Sequence, residues 1–267
     1  MLLQTSSTRF TPASTPAAAA KPKVTAITSE KGTAQPYRRR SLSTRLDAPF
    51  LAMARHRLSQ QFGDSFHFDY CKDKPVREAA VIMLLCVVKG VPSVLFTVRG
   101  DHMRNHRGEC SFPGGKRDPE DVTILSTALR EMYEEVSIAP NDVEVLGEYS
   151  AMPNKDCTMR VTPFVGFLRR PMEDVSTIVY NPDEVQRVFT VPIDDLLDPK
   201  KRTLVRFRDS KYMYPVWHVQ DGLTIWGLTA FILDGVLRTI AGEGPLGSTI
   251  IPEGSTIQRF KPPRPSA

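Results

Sequence analysis

The stretch FPGGKRDPEDVTILSTALREMYEEVSI, residues 112–138, decides how the rest of the chain is interpreted. It begins with Gly114 and Gly115, and glycine allows backbone conformations and close approaches that a side chain would prevent. The residues that follow predict a helix over roughly 121–136. Its apolar stripe, at helical spacing, consists of Leu125, Leu129, Met132 and Val136. The order is therefore a glycine loop followed by an amphipathic helix.

Three carboxylates lie off that stripe, at Glu131, Glu134 and Glu135. Residues three and four apart share a helix face, so like charges there destabilise a helix by about 0.2–0.5 kcal/mol per pair. A hard cation such as Mg²⁺ takes oxygen ligands and would relieve this repulsion. Arg130 can reach Glu134 at the i+4 spacing and orient the carboxylates. Taken alone, the three glutamates are also compatible with exposed charges on an amphipathic helix.

The joint pattern is similar to the signature of the Nudix hydrolases. In that signature Gly, five residues, Glu and seven residues precede Arg-Glu-apolar-x-Glu-Glu-x-Gly-apolar. Here Gly115 is followed by Asp121 instead of Glu, by one extra residue before Arg130, and by Ser137 instead of the last Gly. An extra residue and a substituted glycine also occur in one subgroup of the family, the coenzyme A diphosphatases.

A second motif, upstream of the helix, also resembles this subgroup, in which Leu-Leu-Thr-x-Arg, a spaced Arg and Gly, and Phe-Pro-Gly-Gly follow one another. The chain has LFTVR at 95–99, Arg104, Gly108 and FPGG at 112–115. Phe96 in place of Leu is the one mismatch. Guanidinium groups suit bidentate recognition of phosphate, and coenzyme A carries a diphosphate and a 3'-phosphate.

The resemblance implies an α+β fold, a Nudix-type α/β/α sandwich with a mixed β-sheet between helices. It implies metal-dependent hydrolysis, with Mg²⁺ or Mn²⁺, of the diphosphate bond of coenzyme A or its derivatives, giving 3',5'-ADP and (acyl-)4'-phosphopantetheine. The implied metal ligands are Glu131, Glu134 and Glu135. The implied catalytic residues are these three glutamates, Arg130 and Glu184. The implied substrate-binding residues are Arg99, Arg104, Gly114 and Gly115.

Two of these positions carry more specific expectations. Glu184, in the segment NPDEVQRV, is the candidate for an additional base from a loop, with a carboxylate favoured by a helix dipole as the alternative. Asp121 is one methylene shorter than the usual Glu, so we expect it to act through water or to cap the helix N-terminus. Ser137 puts the geometry of the helix end in question, since the signature has Gly there.

Two alternative functions remain open at the level of sequence. The same chemistry could act on ADP-ribose, a dinucleotide or a nucleoside triphosphate. A catalytically silent protein could instead bind a nucleotide metabolite, although retention of Arg130 and all three glutamates disfavours it. The expected partner is in each case a small molecule, and the sequence predicts no oligomeric state.

Composition argues against a nucleic-acid partner and against a membrane span. The formal net charge of the 267 residues is +5, and the segment 1–50 holds the excess, with eight Lys/Arg and two acidic residues. The remainder has no basic stripe interleaved with aromatic residues. The longest apolar run, AAVIMLLCVV at 79–88, is too short to cross a bilayer and predicts a buried strand. The four cysteines have neither zinc-site nor disulfide-framework spacing.

We expect one domain at 46–241 between two tails. Residues 1–45 are basic and rich in Ser, Thr, Ala and Pro, which predicts a mitochondrial targeting segment, with a cytosolic tail or a peroxisomal location as alternatives. The Gly/Pro/Ser-rich residues 242–267 predict an irregular tail. Expected elements of the domain are helices at 46–58 and 223–240 and strands at 79–88, 93–98, 143–152, 160–168, 185–193 and 213–219. Their irregular alternation favours a mixed sheet between helices.

Overall fold

The computed structural model describes residues 24–25, 45–60, 67–100, 108–206 and 213–242. The two expected tails, at 1–45 and 242–267, lie almost wholly outside these ranges. The α-helices of the described residues are α1 (Ala48–Ser59), α2 (Ile124–Val136), α3 (Ile193–Leu197) and α4 (Gly227–Ala241). The strands are β1 (Val24–Thr25), β2 (His67–Phe68), β3 (Arg77–Val88), β4 (Val91–Arg99), β5 (Cys110–Ser111), β6 (Gly114–Lys116), β7 (Val143–Glu148), β8 (Met152–Pro153), β9 (Met159–Leu168), β10 (Val185–Pro192), β11 (Arg202–Arg206), β12 (Met213–His218) and β13 (Thr224–Ile225).

The central sheet is mixed, as expected. Its main strands lie in the order β10-β4-β3-β9-β7, and the short strands β5, β6 and β8 pair with β4, β3 and β9. β3 and β9 are parallel, and the other neighbours are antiparallel. β6 pairs with the start of β3, so that Gly114 lies opposite Val81 and Lys116 opposite Ala79. This pairing holds the two glycines beside the first part of β3, the central strand of the sheet.

Helices cover both faces of this sheet because successive side chains of a strand point to opposite faces. In β3, Ile82, Leu84 and Cys86 belong to a buried cluster with Ala128 and Met132 of α2. The alternate residues Met83 and Leu85 belong to a second cluster with residues of α1 and α4. The arrangement is the predicted α/β/α sandwich of an α+β fold.

The predicted helix ends need two corrections. The helix expected from Asp121 begins at Ile124, because Thr123 is its N-cap and forms a capping box with Ser126. The closing helix expected from Leu223 begins at Gly227, because Thr224 and Ile225 pair with β12 instead.

A second, three-stranded sheet, β11-β12-β13, packs against α4. The strand β11 in this sheet was not anticipated from the sequence. Asp234 of α4 is buried and accepts hydrogen bonds from Arg202 at 3.3 Å and Arg238 at 2.8 Å, which joins β11 to the helix. No helix among the described residues is long and apolar enough to cross a membrane.

Candidate active site

The two glycines that precede α2 lie against the chain where no side chain would fit. Gly114 has φ +148°, and a Cβ built on it would lie 2.2 Å from the carbonyl oxygen of Ala80. Its N–H donates to Oε2 of Glu135 at 3.2 Å. A Cβ on Gly115 would lie 2.3–2.5 Å from the carboxylate atoms of Glu131. β6 therefore brings its backbone directly against two of the three helix carboxylates.

We expect Gly115→Ala to keep the fold and, if Glu131 has the catalytic role that the Nudix resemblance implies, to lower kcat by about 10²-fold, which is the cost of moving a catalytic group by about 1 Å. The added methyl group displaces the Glu131 carboxylate, which is the end of a flexible side chain, and leaves the sheet pairing intact. Steady-state kinetics on a diphosphate substrate that the protein cleaves measure kcat, and circular dichroism checks that the fold is kept. Gly90→Ala, in the turn after β3, is the control for kcat: nothing lies within 4 Å of the new methyl, so kcat should stay native, while the φ of +76° at Gly90 costs some stability. Native kcat in Gly115→Ala would contradict the expectation.

The three carboxylates of α2 differ sharply in exposure. The side chains of Glu134, Glu131 and Glu135 are 49%, 18% and 5% exposed. The expectation that all three lie off the apolar stripe is therefore wrong for Glu135, which lies on the buried side of α2 with Met132 and Val136. Burial raises the pKa of Glu135 to about 8, and Arg99 and the Gly114 N–H oppose this rise. Burial also raises the pKa of Glu131.

Arg130 forms hydrogen bonds with several groups on the polar side of α2. Its Nη1 donates to Glu134 at 2.9 Å, which confirms the i+4 contact predicted from the spacing. Its Nη2 donates to Glu131 at 3.1 Å and to the carbonyl of Lys116 at 3.1 Å. The same guanidinium forms a two-pronged ion pair with Asp121, through Nε and Nη2, both at 3.0 Å. Arg130 thereby links α2 to β6 and to the loop between them.

Asp121 has a different role from the one expected. It does not cap α2, since Thr123 does so. Its buried carboxylate instead accepts hydrogen bonds from Arg130, from the Thr127 hydroxyl at 2.8 Å and from the Asp118 N–H at 2.9 Å. The Arg130 guanidinium holds the pKa of Asp121 well below its usual range. Asp121 thus anchors Arg130.

Arg99, at the end of β4, faces Glu135. Its Nη1 lies 3.9 Å from Oε1 of Glu135, and its buried Nε has no hydrogen-bond partner in the described part of the chain. Arg99 comes from the upstream motif, and so does Gly114, which contacts the other oxygen of Glu135. Arg104, the second arginine expected to bind substrate, lies outside the described residues.

The loop that carries Glu184 docks on the end of α2. The Asn181 N–H donates to the Glu135 carbonyl at 2.9 Å, and Gly100 donates to the Glu184 carbonyl at 2.8 Å. The Glu184 charge contributes to the raised pKa of both Glu131 and Glu135, so the three carboxylates lie within electrostatic reach. Sequence reasoning missed Asn181, although the Asn-Pro pair that it begins is a turn signal.

Ser137, which replaces the glycine of the signature, ends α2 without disturbing this site. It adopts φ +53°, the left-handed conformation that glycine takes most easily at a helix end, and its N–H donates to the Tyr133 carbonyl at 2.9 Å. The usual helix end is therefore formed with serine at some conformational cost.

The side-chain oxygens of Glu131, Glu134 and Glu135 suit a hard cation. Among the described residues, only the Gly114 N–H donates a hydrogen bond to the buried Glu135 carboxylate. Within the described ranges, no three His, Cys, Asp or Glu side chains are arranged as a complete metal site. Mg²⁺ retains several waters and needs only one or two carboxylates, so these residues fit it.

Comparison with known proteins identifies the family. A model of the NUDIX domain matches residues 76–212. The chain belongs to the Nudix family. It is 36% identical over 179 residues to Nudix hydrolase 3 of Caenorhabditis elegans, covering 60% of this chain and 72% of that protein. It is 35% identical over 178 residues to the Nudix hydrolase NudL of Yersinia pestis, covering 66% of this chain and 85% of that protein.

Solved structures of Nudix proteins are also similar. A C. elegans Ap4A hydrolase binary complex is 18% identical, covers 46% of this chain and 84% of its own, and has a TM-score of 0.37. The predictions of the Nudix family, of its fold and of an enzyme are confirmed. The protein is a Nudix hydrolase that acts on a nucleoside diphosphate derivative, and Nudix hydrolases generally use a divalent metal ion.

Proposed function

We propose that this Nudix hydrolase cleaves the diphosphate bond of coenzyme A or its derivatives, giving 3',5'-ADP and (acyl-)4'-phosphopantetheine. The observation that carries the proposal is the convergence of the upstream motif on the acidic helix. The first and last parts of that motif contribute Arg99 and Gly114, and both lie against the Glu135 carboxylate. A motif typical of the coenzyme A subgroup therefore borders the carboxylate that we expect to be central to the chemistry.

In this proposal each side chain has a distinct task. Glu131, Glu134 and Glu135 would hold Mg²⁺ or Mn²⁺, and Arg130 positions Glu131 and Glu134 through its hydrogen bonds to them. When bound, the cation would neutralise the diphosphate and favour deprotonation of the attacking water. Glu184 takes a proton from the water that attacks one phosphorus, and the anhydride P–O bond breaks as the other phosphate leaves with the bridging oxygen. Arg99 and Arg104 bind phosphate oxygens, and Gly114 and Gly115 give the substrate close access to the backbone.

A cleft beside the glycines supports a substrate with a second phosphate group. Its volume is about 340 Å³, and Arg77, Glu78, Lys116, Arg117, Asp118 and Pro119 line it. Arg117 pairs with Glu78 at 2.7 Å, whereas Arg77 and Lys116 have no ion pair with another described residue. Lys116 directly follows Gly115 in β6. These two cations of the cleft suit the 3'-phosphate of coenzyme A.

We expect Lys116→Met to raise KM for coenzyme A about tenfold, or about 1.4 kcal/mol, and to leave KM for 3'-dephospho-coenzyme A unchanged. The reason is that only the first substrate carries the monoester phosphate that this ammonium group would bind. Initial rates with both substrates measure the difference. Lys200→Met, which removes an exposed lysine beyond α3, is the control. An equal rise in KM for both substrates would contradict the assignment of the cleft.

Product analysis tests the proposed function itself. The protein is incubated with coenzyme A, ADP-ribose and a nucleoside triphosphate, each with Mg²⁺ or Mn²⁺, and products are separated by anion exchange. Release of 3',5'-ADP from coenzyme A faster than any other product supports the proposal. Turnover of ADP-ribose or the triphosphate alone would overturn the coenzyme A assignment and retain the Nudix chemistry. No metal-dependent turnover would instead indicate a silent binder.

We also propose a mitochondrial location, from the composition of residues 1–45. A fusion of this segment to a fluorescent reporter should colocalise with a mitochondrial marker. A diffuse or peroxisomal signal would overturn the proposal.

A further inference from the structure

The side chains of Arg99 and Glu135 lie close together without a hydrogen bond between them. The 3.9 Å between Arg99 Nη1 and Glu135 Oε1 exceeds the length of a hydrogen bond, so the pair interacts by charge alone. Nε of Arg99 is buried and has no acceptor among the described residues. A buried N–H without a partner is unfavourable and marks a place where a ligand oxygen would be accepted. The pair therefore resembles two ligand-binding groups, one for a cation and one for an anionic oxygen, more than a structural ion pair.

Hydrogen bonds fix the backbone of both residues. Arg99 is fixed in β4, since its N–H donates to the Glu109 carbonyl at 3.1 Å and its own carbonyl accepts from the Gly108 N–H at 3.0 Å. Glu135 is fixed from two sides, through the Gly114 N–H on its Oε2 and the Asn181 N–H on its carbonyl. Neither side chain's element can move toward the other without breaking these hydrogen bonds. The gap suits a cation on the carboxylate and an anionic oxygen on the guanidinium.

We propose that Arg99 couples cation binding to substrate binding. In the free enzyme Arg99 faces Glu135 without a hydrogen bond to it, and once a divalent cation binds Glu135, the guanidinium turns to the phosphate of the substrate. The inference rests on the metal dependence in the proposed function and not on coenzyme A as the substrate. It assigns to one side chain two competing interactions at the same site.

This assignment predicts opposite effects on the two ligands when Arg99 is removed. The Arg99 guanidinium lies 3.9 Å from the Glu135 carboxylate, so its positive charge repels a cation that binds there. Removal of that charge therefore raises the affinity for the cation. Substrate phosphate loses its guanidinium partner and binds more weakly. An arginine that only binds substrate would leave cation affinity unchanged, and one that only stabilises the fold would weaken both.

The test is a titration of Mn²⁺ followed by electron paramagnetic resonance, in the native 267-residue chain and in Arg99→Met, with and without methylenediphosphonate. We expect Arg99→Met to bind Mn²⁺ about fivefold more tightly alone, and to bind the diphosphonate at least about tenfold more weakly in the presence of Mn²⁺, within the usual range of coupling between sites. Arg169→Met, which removes an exposed guanidinium paired with Glu144, is the matched control and should change neither affinity. Unchanged or weaker Mn²⁺ binding in folded Arg99→Met would overturn the proposal.

Arg99→Lys keeps the proposal testable if Arg99→Met fails to fold. Lysine retains the charge and lacks the planar fork, so Mn²⁺ affinity should stay native while the factor by which the diphosphonate tightens Mn²⁺ binding falls. A native coupling factor in Arg99→Lys would overturn the inference. Absence of Mn²⁺ binding by the native protein would instead remove the metal dependence on which the proposed function rests.

Discussion

Glu135→Gln is expected to lower kcat by about 10³-fold, which corresponds to about 4 kcal/mol of transition-state stabilisation, and to make the metal-free protein more stable above pH 8. The loss of activity follows because, in the proposed function, Glu135 is a charged metal ligand at the most buried position of the site. The gain in stability follows because a buried ionised carboxylate is costly, whereas the amide carries no charge. One substitution therefore separates what Glu135 does for function from what it does for the fold.

The raised pKa of Glu135 determines how the stability difference between the native protein and Glu135→Gln changes with pH. Burial raises the pKa of Glu135 from 4.5 to about 8 in the folded protein. Between these values the native state keeps a proton that the unfolded state has released, so the stability of the native protein falls as pH rises through this window. Above about pH 8 the full cost is present. Glu135→Gln lacks this titration, so its advantage is absent below pH 4.5 and largest above pH 8.

Thermal unfolding in EDTA at pH 5, 7 and 9, together with kcat in Mg²⁺, measures both effects. Glu120→Gln makes the same change of charge at an exposed position before α2 and should leave both quantities native. The Arg99 side chain, 24% exposed, keeps access to water when its partner is lost, which limits the opposing cost. Equal stability of the native and Gln proteins at pH 9 would show that the native carboxylate is not desolvated, and native kcat would exclude Glu135 from the chemistry.

The parts of the fold that the sequence predicted are those set by local pattern. Apolar runs placed β3 and β4, and the spacing of Leu125, Leu129 and Met132 placed α2, because burial of one face leaves a periodic record in the chain. The Nudix signature is likewise a linear pattern, which is why Glu131, Glu134 and Glu135 could be named together. The Arg130 contact with Glu134 follows from helix geometry alone.

The parts that the sequence did not predict depend on contacts between distant segments. The burial of Glu135 results from β6, a strand of three residues, and from the Asn181 loop. Neither has a periodicity of its own. The N-terminus of α2 was misplaced because Thr123 pairs with Ser126, whereas the usual capping box has Glu or Gln at that position. β11 was missed because its five residues mix polar and apolar side chains without strict alternation.

Asp121→Ala is expected to destabilise the protein by about 3–5 kcal/mol, the usual cost of removing one partner of a buried ion pair. The substitution removes two hydrogen bonds to Arg130 and one each to Thr127 and Asp118, and it leaves the guanidinium without its buried counter-charge. The pKa of Asp121 is held well below 3.8 in the folded state, so the stability it provides is present above pH 3.8 and is lost as pH falls. Urea unfolding at pH 7 measures the change, and the gap between native and variant should narrow in acid.

Asp118→Ala is the matched control, because Asp118 contacts the same guanidinium at 3.7 Å from an exposed position. Its side chain is 59% exposed against 5% for Asp121, so its ion pair is screened by water and should contribute no more than about 1 kcal/mol. Activity adds a second readout, since Arg130 released from Asp121 no longer orients Glu131 and Glu134 from a fixed position. If Asp121→Ala were as mild as Asp118→Ala, Arg130 would be anchored by the helix glutamates and the Lys116 carbonyl alone. The aspartate that replaces the usual glutamate would then be dispensable to this site.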